Sequence, residues 1–236
     1  MPTLRSPKTA WISFVLLGLL LAFLPFLVDA GLGRSWVRIL DFALLYMMLA
    51  LGLNIVVGYA GLLDLGYIAF YAVGAYLYAL LASPQFGLHL PFWLLLPLGA
   101  LVAGLFGMLL GAPTLRLRGD YLAIVTLGFG EIVRIFMNNL NAPVNITNGP
   151  QGISLIDPIA IGGVSLGQNQ TFAGIEFSSA HNYYYLFLAL TLLVIFVSMR
   201  LQDSRIGRAW EAIREDETAA EAMGVNTRNV KLLAFA

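Results

Sequence analysis

The sequence predicts an all-α membrane protein, a polytopic bundle of helices in which at least one helix is broken. Of its 236 residues, 59% are hydrophobic and only 11% are charged. This balance is more apolar than that of soluble domains. The apolar residues form runs of about 20, the length that crosses roughly 30 Å of hydrocarbon as a helix. Closely spaced glycines interrupt the chain between two of these runs.

Six apolar runs are long enough to be transmembrane helices, at 11–28, 39–57, 65–82, 91–112, 121–137 and 183–199. The first run is a retained helix and not a cleaved signal peptide, because Val28-Asp29-Ala30 is a poor cleavage site and further spans follow. A seventh run begins near Val230. Since half a span would leave backbone groups unpaired in lipid, we expect 1–236 to be the amino-terminal part of one longer transmembrane domain.

Lysine and arginine lie mainly on one side of the predicted membrane. They precede the first span, separate the fourth from the fifth, and recur in the segment 200–229, and only Arg34 and Arg38 oppose the pattern. The residues concerned are Arg5, Lys8, Arg116, Arg118, Arg200, Arg205, Arg208, Arg214, Arg228 and Lys231. Because short cytoplasmic loops carry the positive excess, the amino terminus and 200–229 are predicted to be cytoplasmic.

The loop 138–182 contains no lysine or arginine and is predicted to be external. It is polar and rich in Gly, Pro and Asn, so it cannot span a bilayer and is expected to be a structured surface loop. Two interpretations remain open for this loop. It either receives a partner or is simply solvated.

Glycines break the apolar sequence between the second and third spans, within 51–76. They are Gly52, Gly58, Gly61 and Gly66. Irregular backbone and an ionisable side chain near membrane depth are tolerated only where protein or a water-filled cavity satisfies the polar groups. Asn54 and Asp64 are therefore candidates for lining a transport pathway. The alternative is that Asp64 caps the third span and Asn54 makes a hydrogen bond between helices.

The fifth span carries two opposite charges, Glu131 and Arg134, at a spacing that lets them pair on one helical face. Charges within a membrane usually face the bundle interior or a water-filled cavity. The pair is therefore either a structural ion pair near the outer end of the span or part of the lining of a pathway. Glu131 and Asn138 join Asn54 and Asp64 as candidate lining residues.

Small residues recur three or four apart on the fourth span. They are Gly99, Ala103, Gly107 and Gly111. Such a stripe lets another helix approach closely. It predicts a packing face.

Several kinds of chemistry are excluded by residues that the sequence lacks. There are no cysteines, which excludes disulfides and thiolate metal sites. There is no Gly-x4-Gly-Lys phosphate-binding loop, and His89 and His181 are isolated in the sequence. We therefore expect no catalytic, cofactor or metal site, and energy for any transport must come from a partner or a gradient.

The stretch 206–223 predicts a charged amphipathic helix on the cytoplasmic side, which Gly224 ends by adopting a left-handed conformation. Its polar residues form rims around a few apolar ones. The apolar residues are Trp210, Ile213, Ala220 and Met223, and the rims are Arg208, Arg214, Glu215, Asp216 and Glu217. The helix is predicted to dock on a cytoplasmic partner. The alternative is a charged surface helix that binds nothing.

Three blocks of sequence carry a resemblance to a known family. They are LGLNIVVGYAGLLDLGYIAFYAVGAY, then RLRGDYLAIVTLGFGEIVRI followed by TNGPQGI, and IGRAWEAIREDETAAEAMGVN. In sequence and in order they resemble the LivM-type permease of branched-chain amino acid ABC importers. The resemblance covers nearly the whole chain and implies a multi-pass subunit of the bacterial inner membrane with an ABC importer permease fold.

The resemblance also implies a function and partners. The partners are a second permease of the LivH type, two cytoplasmic ATPases that hydrolyse ATP, a periplasmic substrate-binding protein and membrane lipid, with no role for nucleic acid. The implied substrates are leucine, isoleucine and valine. A permease for urea, short amides or another small polar solute is the alternative, because a fold does not fix its cargo. Two other classes of protein remain as alternatives. A secondary transporter or channel would use Asp64 and Glu131 as its membrane carboxylates. A purely structural scaffold would not need the charged helix.

In ABC importers the corresponding cytoplasmic loop follows an E-A-A-x-x-x-G pattern. Thr218, Ala219, Ala220 and Gly224 occupy those positions here, so Thr replaces the usual Glu and the neighbouring Glu217 is the candidate for the acidic contact. The residues predicted to couple to the ATPases are Arg208, Trp210, Ile213, Glu217, Thr218, Ala219, Ala220, Met223 and Gly224.

Overall fold

The structure is a computed structural model that describes residues 7–236 apart from 116, 118, 173 and 174, with side chains described from residue 18 onward except at those positions and at 172 and 175. Arg5, Arg116 and Arg118, which the charge pattern used, lie outside the described residues. Two compact units form, Met1–Met48 with Leu166–Leu193, and Leu49–Ser165 with Val194–Ala236.

Helices account for all six predicted spans, and the all-α prediction is confirmed. They are α1 (Pro7–Leu32), α2 (Arg34–Asn54), α3 (Ile68–Leu81), α4 (Phe92–Thr114), α5 (Asp120–Asn139), α6 (Ser179–Gln202), α7 (Arg205–Glu215), α8 (Glu217–Ala222) and α9 (Thr227–Phe235). Within the described residues, Arg34–Tyr59, Phe92–Thr114 and Ser179–Gln202 are long and apolar enough to cross a membrane, and Gly18–Leu32 and Ile68–Leu81 are shorter apolar helices.

The first unit packs the early part of α2 against the early part of α6. Val37, Leu44 and Tyr184 form its buried centre. Tyr184 and the next residue, Tyr185, donate hydrogen bonds to carbonyl oxygens of α1, at Leu21 (2.9 Å) and Ala22 (2.6 Å). The two tyrosines thus hold α6 to α1 through backbone groups as well as through apolar contact.

The second unit contains α3, α4 and α5, which pack on one another, and α9, which packs on α4. Its core comprises Val56, Ala60, Leu62, Leu122, Trp210, Ala234 and Phe235. The small residues of α4 allow α9 to pack close to its backbone. A Cβ at Gly107 would overlap the carbonyl oxygen of Phe235, and one at Gly111 would touch the Phe235 ring, whereas Gly99 has nothing nearby. The predicted packing face is thus occupied towards the carboxyl-terminal end of α4.

The predicted helix break is confirmed. After α2 the chain forms a π-helical turn, Ile55–Tyr59, and then runs without helix until α3 begins at Ile68. Gly61 in this segment has a φ of +68°, a conformation that L side chains rarely adopt. The segment 60–67 therefore joins α2 and α3 as a compact, irregular linker.

The loop that is predicted to be external is shorter than 138–182, because α5 continues to Asn139 and α6 begins at Ser179. Within it lie a 3-10 turn, Gly149–Gln151, and two antiparallel hairpins, β1 (Ala160–Ile161) with β2 (Val164–Ser165) and β3 (Gln170–Phe172) with β4 (Ile175–Phe177). Several hydrogen bonds fasten the part that belongs to the second unit, and two of them join it to the ends of α5 and α3. The Thr147 hydroxyl donates to the carbonyl of Met137 (2.6 Å), and the Asp157 amide donates to that of Ala82 (2.7 Å).

The prediction of one continuous cytoplasmic helix over 206–223 is wrong. Asp216 adopts an extended conformation between α7 and α8, and its side chain accepts hydrogen bonds from the amides of Thr218 (2.8 Å) and Ala219 (3.0 Å). An Asp in that conformation is a strong N-cap, so it starts a new helix instead of continuing the old one. The segment that joins α6 to α9 is therefore two short helices.

Candidate functional site

A groove of about 360 Å³ runs between α3 and α5 in the second unit. Most of its lining is apolar or aromatic, including Leu65, Tyr71 and Leu127. Glu131, Arg134 and Asn138 are its strongly polar side chains. Its lining residues extend from the beginning of α3 to the end of α5, so the groove follows much of the length of both helices.

Glu131 and Arg134 form a two-pronged ion pair on the wall of this groove. Arg134 Nε donates to Glu131 Oε2 at 2.9 Å, and Arg134 Nη2 donates to Glu131 Oε1 at 2.6 Å. Both side chains remain more than half exposed, at 53% for Glu131 and 63% for Arg134. The predicted pairing is confirmed. An exposed ion pair of this spacing adds little to helix stability. Charges within a span also make its insertion into the membrane less favourable.

Asp64 lies in the irregular linker and is almost completely buried, with 1% of its surface exposed. Its Oδ1 accepts a hydrogen bond from the amide of Gly66 at 2.8 Å, while its Oδ2 is buried without a hydrogen-bond partner among the described residues. The N-cap of α3 is Tyr67. Asp64 therefore stabilises the turn before α3 and does not cap the helix itself.

The linker is pressed against α5 beside Asp64. The hydroxyl of Thr126 accepts a hydrogen bond from the amide of Leu65 at 3.0 Å. A Cβ at Gly66 would overlap the carbonyl oxygen of Thr126, so glycine is required for this close approach. Thr126 and Asp64 also line a small cavity of about 10 Å³. That volume is near the minimum for a single water molecule.

The four candidate lining residues are not brought together. Glu131 and Asn138 line the groove between α3 and α5, and Asp64 lines the small cavity next to Thr126. Asn54 is exposed at the end of α2, and its side chain lies against Gly58. Only Glu131 and Asn138 therefore share a site, and the role of all four in a pathway stays a prediction.

Helix α7 is anchored to the rest of the second unit by its buried face. Trp210 is 1% exposed, and its indole Nε1 donates to the carbonyl of Val230 at 2.7 Å. Ile213 lies one turn further along the same buried face. Gly207 is also buried, since a Cβ there would overlap the carbonyls of Leu201 and Gln202. These contacts fix α7 close to the end of α6 and the start of α9.

Arg214 connects α7 to the broken helix. Its Nη1 donates to the carbonyl of Gly58 at 2.6 Å, and its aliphatic carbons lie where a side chain on Gly61 would be. The acceptor belongs to the π-helical turn and the glycine to the linker that follows. Arg214 therefore contacts both the π-helical turn and the linker that contains Asp64.

The short helix α8 has defined structure at both ends. It begins at the Asp216 cap and ends at Gly224, whose φ is +87°. The amide of Val225 donates to the carbonyl of Ala220, and that of Gly224 donates to the carbonyl of Glu221. These two bonds form a Schellman motif. The predicted helix stop at Gly224 is confirmed.

An ion pair links α8 to α9. Lys231 Nζ donates to Glu217 Oε1 at 2.5 Å, and the Lys231 side chain is only 8% exposed. The side chain of Asn226 caps α9 by accepting from the amide of Asn229 at 3.1 Å. Glu217 is thus paired within the chain. Its use as the acidic contact with an ATPase, at the position next to Thr218, stays a prediction.

Eight of the nine predicted coupling residues divide into a buried and an exposed set, and the ninth, Glu217, is half-buried. Trp210, Ile213 and Ala220 are buried within the chain, which corrects the expectation that they present apolar surface to a partner. Met223 is 85% exposed. The other exposed members are Arg208, Thr218, Ala219 and Gly224. The buried set holds the segment in place, and whether either set serves coupling stays a prediction.

Sequence reasoning missed three residues that organise these sites. Thr126 was given no role, Lys231 was used only in the charge pattern, and Arg214 was used in that pattern and as part of a charged rim. A lysine beside an apolar run at the start of a helix was a usable signal for a buried ion pair. The contacts of Arg214 and Thr126 join residues 156 and 61 positions apart in the chain, which no local pattern indicates.

Comparison with known proteins identifies the family. The profile of the family described as branched-chain amino acid transport system, permease component, matches residues 35–236. The chain belongs to this family. Its helices that are long and apolar enough to cross a membrane agree with membership of a permease family. The resemblance carried by the three sequence blocks is confirmed.

Individual relatives agree with the family. The chain is 46% identical over 223 residues to the high-affinity branched-chain amino acid transport system permease protein LivM of Escherichia coli (strain K12), a match that covers 89% of this chain and 50% of the relative. LivM of Salmonella typhimurium (strain LT2) matches equally, at 46% over 223 residues. LivH of Salmonella typhimurium is 27% identical over 197 residues, covering 80% of this chain and 61% of that protein.

The chain spans about half the length of the LivM proteins it matches. No solved structure matches it.

Proposed function

We propose that the chain is part of a permease subunit of an ABC importer for leucine, isoleucine and valine, located in the bacterial inner membrane. The permease forms the translocation pathway together with a second permease of the LivH type. Two cytoplasmic ATPases supply energy, and a periplasmic binding protein delivers the substrate. Family membership and the names of the LivM and LivH relatives support this assignment.

The observation that carries the proposal is the construction of α8. This helix is held by contacts within the chain, through buried Ala220 and the Glu217–Lys231 ion pair, while Ala219 and Met223 are exposed one turn apart on its surface. A short helix with a fixed position and an exposed surface of small and flexible side chains suits a groove on a partner protein. We assign this surface to the contact with an ATPase subunit.

The route of coupling follows from the contacts of α7. When the ATPase dimer closes, the pair α7 and α8 moves with it. Arg214 passes that movement to the carbonyl of Gly58 and to the linker 60–67. Because the linker also contacts α5 through Gly66 and Thr126, the movement reaches the groove between α3 and α5. Access to the pathway then alternates between the two sides of the membrane.

Uptake of labelled leucine tests the transport function. Cells that lack the full-length protein should lose uptake driven by the binding protein, and the gene for the full-length protein should restore it. Retained leucine uptake with loss of urea uptake would instead assign the protein to a urea importer.

Substitution of Ala219 by Glu tests the docking surface separately. Ala219 is exposed, so a Glu is tolerated in the free chain, but at a desolvated interface an unpaired charge costs several kcal/mol. We expect normal membrane insertion, loss of leucine transport and poor co-purification of the ATPases. Ala212→Glu, the same change at an exposed position of α7, is the matched control and should leave both measurements unchanged. Full transport and intact complexes for Ala219→Glu would refute the docking assignment.

A further inference from the structure

The groove between α3 and α5 has a volume that suits a single small molecule. Its volume of about 360 Å³ lies at the low end of the range of roughly 300–1,000 Å³ that is typical of ligand pockets. Ile68, Tyr71 and Leu127 contribute apolar wall on both helices. The space therefore fits an aliphatic side chain, and the polar groups on its wall decide what else the ligand must carry.

The charged groups on the wall of the groove are one cation and one anion, fixed side by side. Glu131 and Arg134 are bonded to each other in a two-pronged arrangement, and each retains more than half of its surface free. Each partner therefore keeps donors or acceptors that a ligand can reach. Because the pair is neutral as a whole, the empty groove does not hold a net charge within the membrane.

A free amino acid carries the complementary pair of charges. Its carboxylate matches the planar guanidinium of Arg134, which donates in two parallel bonds. Its ammonium group matches the carboxylate of Glu131. With both charges engaged, the side chain of the amino acid can lie on the apolar wall that Tyr71 and Leu127 provide. An anion, a cation or a neutral solute would form an ion pair with at most one of the two residues, Glu131 and Arg134.

We propose that this groove is a transient binding site for an aliphatic α-amino acid zwitterion, with Arg134 receiving the carboxylate and Glu131 the ammonium group. The proposal rests on the proposed transport function. It adds a binding site within the membrane that recognises both charges of the substrate. The ion pair is the resting state of the site. Substrate binding exchanges part of the internal pairing for two external pairings, so the substrate is held weakly enough to move on.

Protection of a cysteine in the groove tests binding directly. Ala72 lines the groove, and the chain has no cysteine of its own. Ala72→Cys in the complete transporter, with cysteines of the other subunits removed, is alkylated in the presence of millimolar L-leucine, L-leucinamide or 4-methylpentanoate. Leucine should slow alkylation about threefold or more, which corresponds to majority occupancy of the site. Leucinamide lacks the carboxylate and 4-methylpentanoate lacks the ammonium group, so neither should protect.

Charge variants separate a binding role from a structural one. Glu131→Gln and Arg134→Gln should each abolish protection by leucine. Exchange of the two residues, Glu131→Arg with Arg134→Glu, keeps the ion pair but reverses its direction. If the pair were only structural, this variant should still be protected by leucine. If the pair binds the substrate, protection should be lost. Ile132→Ala, at an exposed position outside the groove, is the control. In this variant leucine should slow alkylation as much as in the parent.

The outcomes distinguish failure of the site from failure of the transport function. Equal alkylation with and without leucine, in a transporter that imports leucine, overturns the zwitterion site and leaves the proposed function standing. Undiminished protection in Glu131→Gln, Arg134→Gln or the exchange variant also overturns it. A parental transporter that imports urea and not leucine refutes the proposed function, and with it the inference.

Discussion

Tyr184 satisfies a carbonyl group that a proline leaves without its usual partner. In α1 the carbonyl of Leu21 would bond to the amide of residue 25, but that residue is a proline and has no N–H. The hydroxyl of Tyr184 donates to this carbonyl at 2.9 Å. Within hydrocarbon there is no water to replace such a bond, so the tyrosine makes the proline tolerable in this helix.

Tyr184→Phe in the full-length protein should lower the free energy of unfolding by about 1–3 kcal/mol, because the carbonyl of Leu21 loses its hydrogen-bond partner where Pro25 offers no amide. The measurement is denaturant titration in detergent micelles. Tyr183→Phe, which removes a neighbouring hydroxyl with no hydrogen bond seen among the described residues, is the control and should change stability by less than about 0.5 kcal/mol. Equal stability of the Tyr184 and Tyr183 variants would contradict this account.

Arg214 illustrates how one side chain can join two distant features. The π-helical turn leaves the Gly58 carbonyl available, and the guanidinium supplies a charge-assisted bond to it. The sequence shows Arg214 only as one of several charges on an amphipathic helix. Its role depends on the position of Gly58, more than one hundred residues earlier in the chain.

The division of the cytoplasmic segment into α7 and α8 changes which surface is available to a partner. In a single helix, Trp210, Ile213 and Ala220 would share the surface offered to the ATPase. With the chain turning at Asp216, these three side chains face inward, and the exposed surface of α8 and its end includes Ala219 and Met223. An Asp followed by Glu and Thr was a sufficient signal for a helix start. The amphipathic pattern across the break concealed it.

The contact between α4 and α9 requires a glycine at one position of the stripe and not at another. Gly107→Ala should destabilise the full-length protein by about 1–3 kcal/mol, because the added methyl group overlaps the carbonyl oxygen of Phe235 and forces the helices apart. Gly99→Ala in the same helix meets nothing within 4 Å. It should therefore be neutral or stabilising by up to about 1 kcal/mol, since alanine favours the helix. Thermal unfolding in detergent measures both.

A loss of stability at Gly99 as large as that at Gly107 would show that the stripe is required along its whole length. The sequence predicted this stripe from spacing alone, and the structure explains why it is used unequally. Spacing fixes which residues share a helical face. It does not fix where along that face a second helix crosses.

The helical spans and the break at 51–76 were predictable because they depend on local composition. Runs of apolar residues identify spans in lipid, and clustered glycines identify irregular backbone. The pairing of Glu131 with Arg134 was likewise predictable, since it needs only helical geometry. Which side chains meet across helices was not, because Asn54, Asp64 and Glu131 carry similar signals yet lie in three different environments.

Two contacts at the ends of α3 agree with the predicted placement of their partner segments on opposite sides of the membrane. The linker before α3 contacts Arg214 of the cytoplasmic segment. At the other end of α3, the carbonyl of Ala82 accepts a hydrogen bond from Asp157 in the external loop. The two ends of one helix thus contact segments that the lysine and arginine distribution assigns to opposite sides. A single crossing of the membrane by α3 accounts for both contacts.

Two single cysteines test this orientation in the full-length protein. Val144→Cys lies at an exposed position of the external loop, and Glu211→Cys lies on the exposed face of α7. Since the chain has no cysteine, each variant carries one thiol in the part described. In intact spheroplasts a membrane-impermeant maleimide should label Val144→Cys and not Glu211→Cys, and permeabilisation should expose Glu211→Cys to the reagent. Labelling of Glu211→Cys alone before permeabilisation would reverse the topology, move α8 to the outside, and remove the basis for its contact with an ATPase.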